Sequence, residues 1–371
     1  MAERVALYDL KHAQLTDLLA RWGEPRFRAD QVWRWLYRSL AGDYGSMENL
    51  PSALRARLVA ETDLALLAPL AERVSASGQT HKVLLQLHDG QTIESVLMYY
   101  HNRRTACIST QAGCGMGCTF CATGQGGLAR NLSAGEILAQ VLYFARGIRE
   151  EELAAAQATG QKQSLTVHPV DHIVLMGMGE PLANYEATWQ AIETLADSRG
   201  YSLGARRVTL STVGLVPGIR RMTEERLPIN LAVSLHAPDD ELRNQLVPIN
   251  RHFPLSELLD AVRGYVEHTG RRVTFEYALI DGVNDKDYQA HQLAALVDGL
   301  LCHVNLIPLN PTPDSALRPS PRERVDAFCA ALEQNGVPTT VRMRRGIDIE
   351  AGCGQLRRDS MLHERPPDNA V

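Results

Sequence analysis

From Thr105 onward the chain alternates short β-branched apolar runs with longer stretches whose apolar residues recur every three or four positions. TACIST, DHIVLMGM, RRVTLST, INLAVSLH, RVTFEYALI and HVNLIPLN read as strands, and TTVRMR follows as a further one. Between them SAGEILAQVLYFARGI, NYEATWQAIETLAD, PLSELLDAVRGYVEHTG, DKDYQAHQLAALVDGLL and SPRERVDAFCAALEQNG read as helices, the first opened by a Ser133-x-x-Glu136 capping box. Such a series implies an α/β fold with a parallel sheet and right-handed crossovers. A full or partial β/α barrel and a doubly wound sheet both satisfy the pattern, and either places function beyond the C-terminal ends of the strands.

Residues 1–100 differ. HAQLTDLLARWG, FRADQVWRWLYRSLAG and PSALRARLVAETDL are helical patterns, and HKVLLQLHDGQTIESVLMYY folds about Asp89-Gly90 as a hairpin. The expected organisation is a small helical accessory domain with a hairpin (1–100), a β/α core (101–345) and a C-terminal segment (346–371). AAAQATGQKQS, near 154–164, reads as an inserted loop.

Composition changes this picture little: 371 residues, 45% hydrophobic and 22% charged, suit a soluble globular protein. No run of about twenty apolar residues offers a membrane span, and the N-terminus does not read as a secretory leader. The expectation is a cytoplasmic monomer. A net charge of −5 argues against a generic polyanion binder but leaves room for a local basic surface. Arg103-Arg104, Arg206-Arg207, Arg220-Arg221, Arg271-Arg272 and Arg342, Arg344 and Arg345 are candidates for one. Trp33, Trp35 and Tyr37, interleaved with arginines, would either stack bases or form the packed face of an amphipathic helix.

The cysteines change it more. Four of seven, Cys107, Cys114, Cys118 and Cys121, crowd into fifteen residues. A disulfide framework is not expected in a reducing cytoplasm. Structural zinc wants four ligands, whereas the C-x3-C-x2-C set at Cys114, Cys118 and Cys121 supplies three. Three thiolates can hold a [4Fe-4S] cluster and leave one iron open to a small ligand. This is the spacing of the radical S-adenosylmethionine enzymes, and Phe120 before the last cysteine fits it. In that superfamily the amine and carboxylate of S-adenosylmethionine bind the open iron, and an electron from the cluster releases a 5'-deoxyadenosyl radical.

Candidate S-adenosylmethionine contacts stand at successive strand ends: Gly179 and Glu180 in GMGEPLAN, Ser211 in LSTVG, Ser234-Leu235-His236, and Asn310 in PLNP. Glycine there permits close backbone approach to a ligand, and Glu180 would accept from the ammonium group. Cys302 and Cys329 lie within apolar elements and read as packed thiols. Cys353, flanked by glycines, reads as accessible.

GEPRFRADQVWRWLY, CISTQAGCGMGCTFCATGQGGLARNLSAGEI, MGMGEPLANY, TLSTVG, LAVSLHAPDDELRNQLVPIN, GVND, NLIPLNP and GCGQL together closely resemble the RlmN/Cfr family of radical S-adenosylmethionine RNA methyltransferases. The resemblance spans nearly the whole chain. One departure is Gly352, where the family pattern has alanine. The resemblance implies a partial (β/α)6 radical barrel and two S-adenosylmethionine molecules per turnover. The first methylates Cys353, giving S-methylcysteine. The second yields the radical that activates this methyl group, which adds to adenine. Cys107 then closes a transient disulfide with Cys353, and Glu94 acts as proton acceptor. An external electron donor is required. The implied substrates are adenosine 2503 in the peptidyl-transferase centre of 23S rRNA and adenosine 37 of tRNAs, at ring carbon C2, with C8 as the alternative. Two other readings stay open: a different radical reaction, which leaves Cys107 and Cys353 without a role, and a non-catalytic metal-binding RNA module.

Overall fold

In a computed structural model, residues 4–159, 166–312 and 315–358 are described. Of the expected C-terminal segment, residues 359–371 lie outside the described residues, as do 160–165 of the expected loop.

The chain begins with three helices, α1 (His12–Arg21), α2 (Phe27–Tyr37) and α3 (Ser52–Glu61). Their ends are tied by a short parallel pair, β1 (Val5–Ala6) and β2 (Thr62–Asp63). Trp33 and Tyr37 are buried, and Trp35 donates its indole N–H to Asn49 Oδ1 at 2.5 Å. Of the two readings of this helix, the packed one therefore holds for Trp33 and Tyr37. Asp9 docks the segment onto the core through two longer helices, α5 (Ala134–Thr159) and α6 (Tyr185–Ala196). Its Oδ1 accepts from Gly135 N at 2.6 Å and its carbonyl from Gln190 Nε2 at 2.7 Å.

Three antiparallel strands follow: β3 (Leu67–Val74), β4 (Thr80–Leu87) and β5 (Thr92–Tyr100). The sequence pattern did not mark β3. It is an edge strand, largely exposed, with Pro69 beside a bulge, and proline belongs at edges because it has no N–H for an inner ladder. The hairpin does not stand apart. β5 pairs with β6 (Arg103–Cys107), and β6 pairs in parallel with β9 (His172–Leu175). β10 (Val208–Thr212), β11 (Asn230–Ser234), β12 (Val273–Leu279), β13 (Cys302–Pro308) and β14 (Thr339–Val341) continue the same sheet. Among the described residues its order is β14-β13-β12-β11-β10-β9-β6-β5-β4-β3.

From β6 to β14 the parallel strands lie in chain order. A doubly wound sheet reverses direction at a switch point; this one does not. The chain winds one way, as a partial barrel does, and the antiparallel strands continue the sheet where further barrel strands would stand. The outer layer comprises α5, α6, α7 (Val216–Thr223), α8 (Asp240–Leu246), α9 (Leu255–Thr269), α10 (Asp287–Leu296) and α11 (Arg322–Gln334). The capping box at the start of α5 forms as expected: Glu136 N donates to Ser133 Oγ at 3.1 Å and Ser133 N to Glu136 Oε2 at 2.9 Å. This helix runs on through Thr159, so residues 154–159 are helical where a loop was expected.

Candidate active site

β6 ends at Cys107, and the chain then makes a small antiparallel pair, β7 (Gln111–Gly113) and β8 (Leu128–Asn131). Between these strands runs the cysteine loop, closed by the one-turn helix α4 (Ala122–Gln125). Cys114 N donates to Gly127 O at 2.9 Å, and Cys121 N to Cys118 O at 3.2 Å. Cys118 packs with Leu246, Val247, Ile280 and Leu309, with Phe120 against them. This apolar shell keeps water from one side of the loop. All three sulfurs belong to the wall of one large cavity over the C-terminal ends of the strands.

Among the described residues no three His, Cys, Asp or Glu side chains are grouped to hold a single metal ion. A four-iron cube does not ask for that, since each of its cysteines binds a different iron and the sulfurs stand apart. The donor set is three thiols on one cavity face, with no fourth among the residues of that loop. It suits such a cube with a corner open to the cavity.

Gly179, Glu180, Ser211, Ser234, His236 and Asn310 line the same cavity. Glu180 is fully enclosed, its Oε1 accepting from Leu182 N at 3.0 Å and its Oε2 from Val213 N at 2.9 Å. Burial pushes its carboxyl up to about 7, against the pull of these amides. Gly179 has φ +105, and a Cβ there would stand 2.6 Å from Gln111 Cβ. Its close approach is thus to the loop after β6, a reason distinct from ligand approach. His236, at φ +60, accepts at Nδ1 from Ala278 N at 2.9 Å and packs edge-to-face with Phe120, ring centres 4.7 Å apart. Burial, and then the charge of Arg243, push its imidazole down to about 3, so it is neutral. The side chain of Leu235 packs in the core, and its carbonyl accepts from Arg243 Nε at 3.0 Å.

Asn310 donates through Nδ2 to the carbonyl of Cys353 at 3.0 Å. Further bonds seat the Cys353 loop. Ala122 N donates to Gly354 O at 2.8 Å, Gln355 Nε2 to Pro311 O at 2.9 Å, and Thr123 Oγ1 to Leu356 O. Gly352 is tightly packed: a Cβ would stand 2.6 Å from Asn310 Nδ2. Alanine here would require the Asn310 side chain to shift. Cys353 borders both the large cavity and a smaller adjoining one that also takes in Cys107 and Asn310.

Glu94 lies elsewhere. It is fully buried on β5, ion-paired with Lys82 Nζ at 3.1 Å, and its Oε2 accepts from Arg357 N at 3.0 Å. It does not line the large cavity. Cys302 and Cys329 pack with the core as expected.

Two arginines stand out against sequence reasoning. Arg243 was not singled out; it is fully buried, with Nη1 donating to Asn250 Oδ1 at 2.6 Å and Nη2 to the carbonyls of Val213 at 2.7 Å and Ser234 at 3.1 Å. It ties the ends of β10 and β11 and sets a positive charge near Cys118. Arg342, counted among the surface candidates, instead donates to Cys353 Sγ at 3.2 Å. An arginine inside a helix as short as α8 carries no periodic signal, so only the DDELRNQL match held a hint of the first.

Residues 5–64 match the family model described as ribosomal RNA large subunit methyltransferase N-terminal domain, and residues 108–294 match the radical SAM superfamily model. A probable dual-specificity RNA methyltransferase RlmN of Chloroflexus aurantiacus is 51% identical over 360 residues, 95% of this chain and 93% of that relative. The dual-specificity RNA methyltransferase RlmN 1 of Myxococcus xanthus is 50% identical, covering 95% of this chain and 94% of its own. Among solved structures, a radical SAM methyltransferase from Sphaerobacter thermophilus shares 52% identity with a TM-score of 0.88, over 95% of this chain and 99% of that one.

Proposed function

The chain belongs to the RlmN family of radical S-adenosylmethionine RNA methyltransferases, and on that premise we propose that it methylates C2 of adenosine 2503 in 23S rRNA and C2 of adenosine 37 in tRNAs. The observation that carries this reading is the meeting of Cys353, Cys107 and the three-thiol wall at adjoining cavities. A different radical reaction would leave that pair of thiols without a purpose.

Cys114, Cys118 and Cys121 are the proposed ligands of a [4Fe-4S] cluster, which supplies, when bound, the electron that cleaves S-adenosylmethionine. Gly179, Glu180, Ser211, Ser234, the backbone at Leu235, His236 and Asn310 would hold that substrate. Neutral His236 presents hydrogen bonding without charge, and Glu180 offers carboxylate lone pairs to an ammonium group. Cys353 takes a methyl from one S-adenosylmethionine, and a second molecule serves the radical step. Adenine carbon is too poor a nucleophile for direct displacement, so the sulfur carries the methyl instead. After the carbon is bonded to the ring, the adduct gives up a proton and one electron, which the cluster would take back when bound, and the Cys107 thiolate attacks the Cys353 sulfur. The S–S bond forms, the S–C bond breaks with its pair passing to the carbon, and an external dithiol later resets the pair. Glu94 is the proposed acceptor of the ring proton, reached once Arg357 N gives up its bond to the carboxylate. The enzyme is proposed to act as a cytoplasmic monomer with an external electron donor; among the described residues no helix is long and apolar enough to cross a membrane.

The test uses anaerobically reconstituted enzyme, reductant, S-adenosylmethionine and unmodified 23S rRNA fragment or tRNA, followed by nucleoside mass spectrometry. 2-Methyladenosine from both RNAs is expected. 8-Methyladenosine would move the activity to the other ring carbon, and 5'-deoxyadenosine without methylated nucleoside would overturn the substrate assignment.

A further inference from the structure

β14 is the edge strand of the sheet, and Arg342 leaves it beside β13, its backbone N donating to Leu306 O at 2.8 Å. Its side chain turns inward. Nη1 donates to Cys353 Sγ at 3.2 Å, and the small cavity at that point is shared by Arg342, Cys353, Cys107 and Asn310. On the other side lies Glu276 of β12, buried, with Asn305 Nδ2 donating to its Oε2 at 2.8 Å. The charged or titratable groups around Arg342 are Cys353, Glu276, Tyr100 and Cys107, and Arg344 and Arg345 also line the small cavity, with Arg345 over the Tyr100 ring. Cys353 meets Arg342 on one side and Cys107 across the small cavity, while Asn310 engages its carbonyl.

A guanidinium keeps its proton in any protein, so Arg342 is a fixed positive charge. A fixed cation beside a thiol favours the thiolate, the form that attacks carbon and sulfur. Cys107 feels the opposite pressures. Burial pushes its thiol up to about 12, negative charge on Cys353 adds to that, and Arg342 works against both. One cation is therefore shared by two thiols, and ionising one disfavours ionising the other.

We infer that Arg342 is a catalytic counter-ion used twice: its guanidinium, in contact with the Cys353 sulfur, stabilises that sulfur as it attacks the methyl group, and then stabilises the Cys107 thiolate that closes the disulfide. The inference rests on Cys353 being the methyl acceptor. In the first step the thiolate pair forms the S–CH3 bond. The sulfonium S–CH3 bond breaks, its pair stays on the departing S-adenosylhomocysteine, and the thiol proton has already gone to solvent. The Cys353 sulfur is then a neutral thioether, and its negative charge no longer opposes the ionisation of Cys107. The order of the two thiol reactions is thereby set by charge. Burial keeps Cys107 protonated until the Cys353 sulfur has been methylated, which guards against premature oxidation of the pair.

The experiment uses cluster-reconstituted enzyme and S-adenosylmethionine with a deuterated methyl group, with methylation of Cys353 read by peptide mass spectrometry over pH 6–9 (roughly the range around an ordinary thiol pKa). Arg342→Met should slow methylation about tenfold or more near neutral pH and regain rate as pH rises, since each unit of thiol pKa is about a tenfold change in thiolate fraction. Arg342→Lys, which keeps a charge, should retain most of the rate. Iodoacetamide labelling of Cys107 should turn on at lower pH in protein pre-methylated at Cys353 than in unmethylated protein. Because Arg342→Met strands the Glu276 carboxylate, Arg342→Met/Glu276→Gln is measured alongside it and should show the same loss. A wild-type rate and pH profile in both variants, or identical Cys107 profiles in the two forms, overturns the inference. Absence of methyl on Cys353 in the wild type would instead overturn the methyl-acceptor reading beneath it.

Discussion

Glu180 and Arg243 show how single buried charges shape the cavity. Arg243 gives its donors to three carbonyls and one amide oxygen, so the ends of β10 and β11 are joined without a paired carboxylate in direct contact. Buried charge is tolerated where each proton has an acceptor. Glu180 is the converse, a carboxylate satisfied by backbone amides yet still disfavoured by burial. Its carboxyl moves from the ordinary 4.5 to about 7 in the folded protein. The folded state therefore binds this proton more tightly than the unfolded chain. The stability it contributes is complete below pH 4.5 and is lost as pH rises through 7. The magnitude is on the order of 3 kcal/mol. Urea unfolding of metal-free protein should show the wild type losing about that much relative to Glu180→Gln between pH 4.5 and 7. Parallel stability curves for the two would reject the shift.

At the scale of elements, the hairpin of β4 and β5 grips the segment that carries Cys353. Lys82 Nζ pairs with Glu94 Oε1 at 3.1 Å and donates to Glu350 O at 3.2 Å, while Glu94 Oε2 holds Arg357 N. One buried ion pair thus fastens both flanks of the loop. Lys82→Met leaves Glu94 charged and without that partner, at a cost of about 3–5 kcal/mol, and should expose residues 346–357 to limited proteolysis. Glu94→Gln keeps an oxygen for Arg357 N. If Glu94 is the proton acceptor, this variant should still carry S-methyl on Cys353 but form no methylated adenosine. Loss of both would reduce Glu94 to a clamp. None of this was legible in HKVLLQLHDGQTIESVLMYY, where alternation marks a hairpin but not which inward polar residues pair. The main strands were legible because buried parallel strands are continuous β-branched runs. β3 was not, for its exposed face and Pro69 blur the period, and neither was α7, which carries Pro217 and Gly218 in its first turn. The cysteine spacing survives any such blurring, because ligands close in sequence need no tertiary context. Arg342 does need it, and an arginine in TTVRMRR reads as surface until the sheet edge places it.

The whole molecule must bring a polyanion to this cavity despite a net charge of −5. Long-range attraction between net charges does not help, so binding has to come from local basic surface. The N-terminal helices ride on the outer helix layer through Asp9 and through Arg146, whose Nη2 donates to Tyr8 Oη at 2.9 Å. With Trp33 and Tyr37 committed to their core, the most exposed aromatic ring of α2 is Phe27, 52% exposed with the Arg28 guanidinium 4.8 Å from its ring centre. Arg26 and Arg34 are exposed on the same helix region, and Arg28 is half-buried against Gln31 Oε1 at 2.7 Å. If these three arginines neutralise RNA phosphates, each releases counterions when RNA binds. The logarithm of affinity then falls with the logarithm of salt by about 0.7–0.9 per phosphate contacted. Charge reversal at Arg26, Arg28 and Arg34 together should weaken tRNA binding and flatten that slope by about 2–3, while methylation of Cys353 from S-adenosylmethionine alone stays at the wild-type rate. An unchanged slope would remove this helix from the RNA interface. A flattened slope with slowed Cys353 methylation would mean that the helical segment supports the barrel itself, and its arginines would then say nothing about RNA.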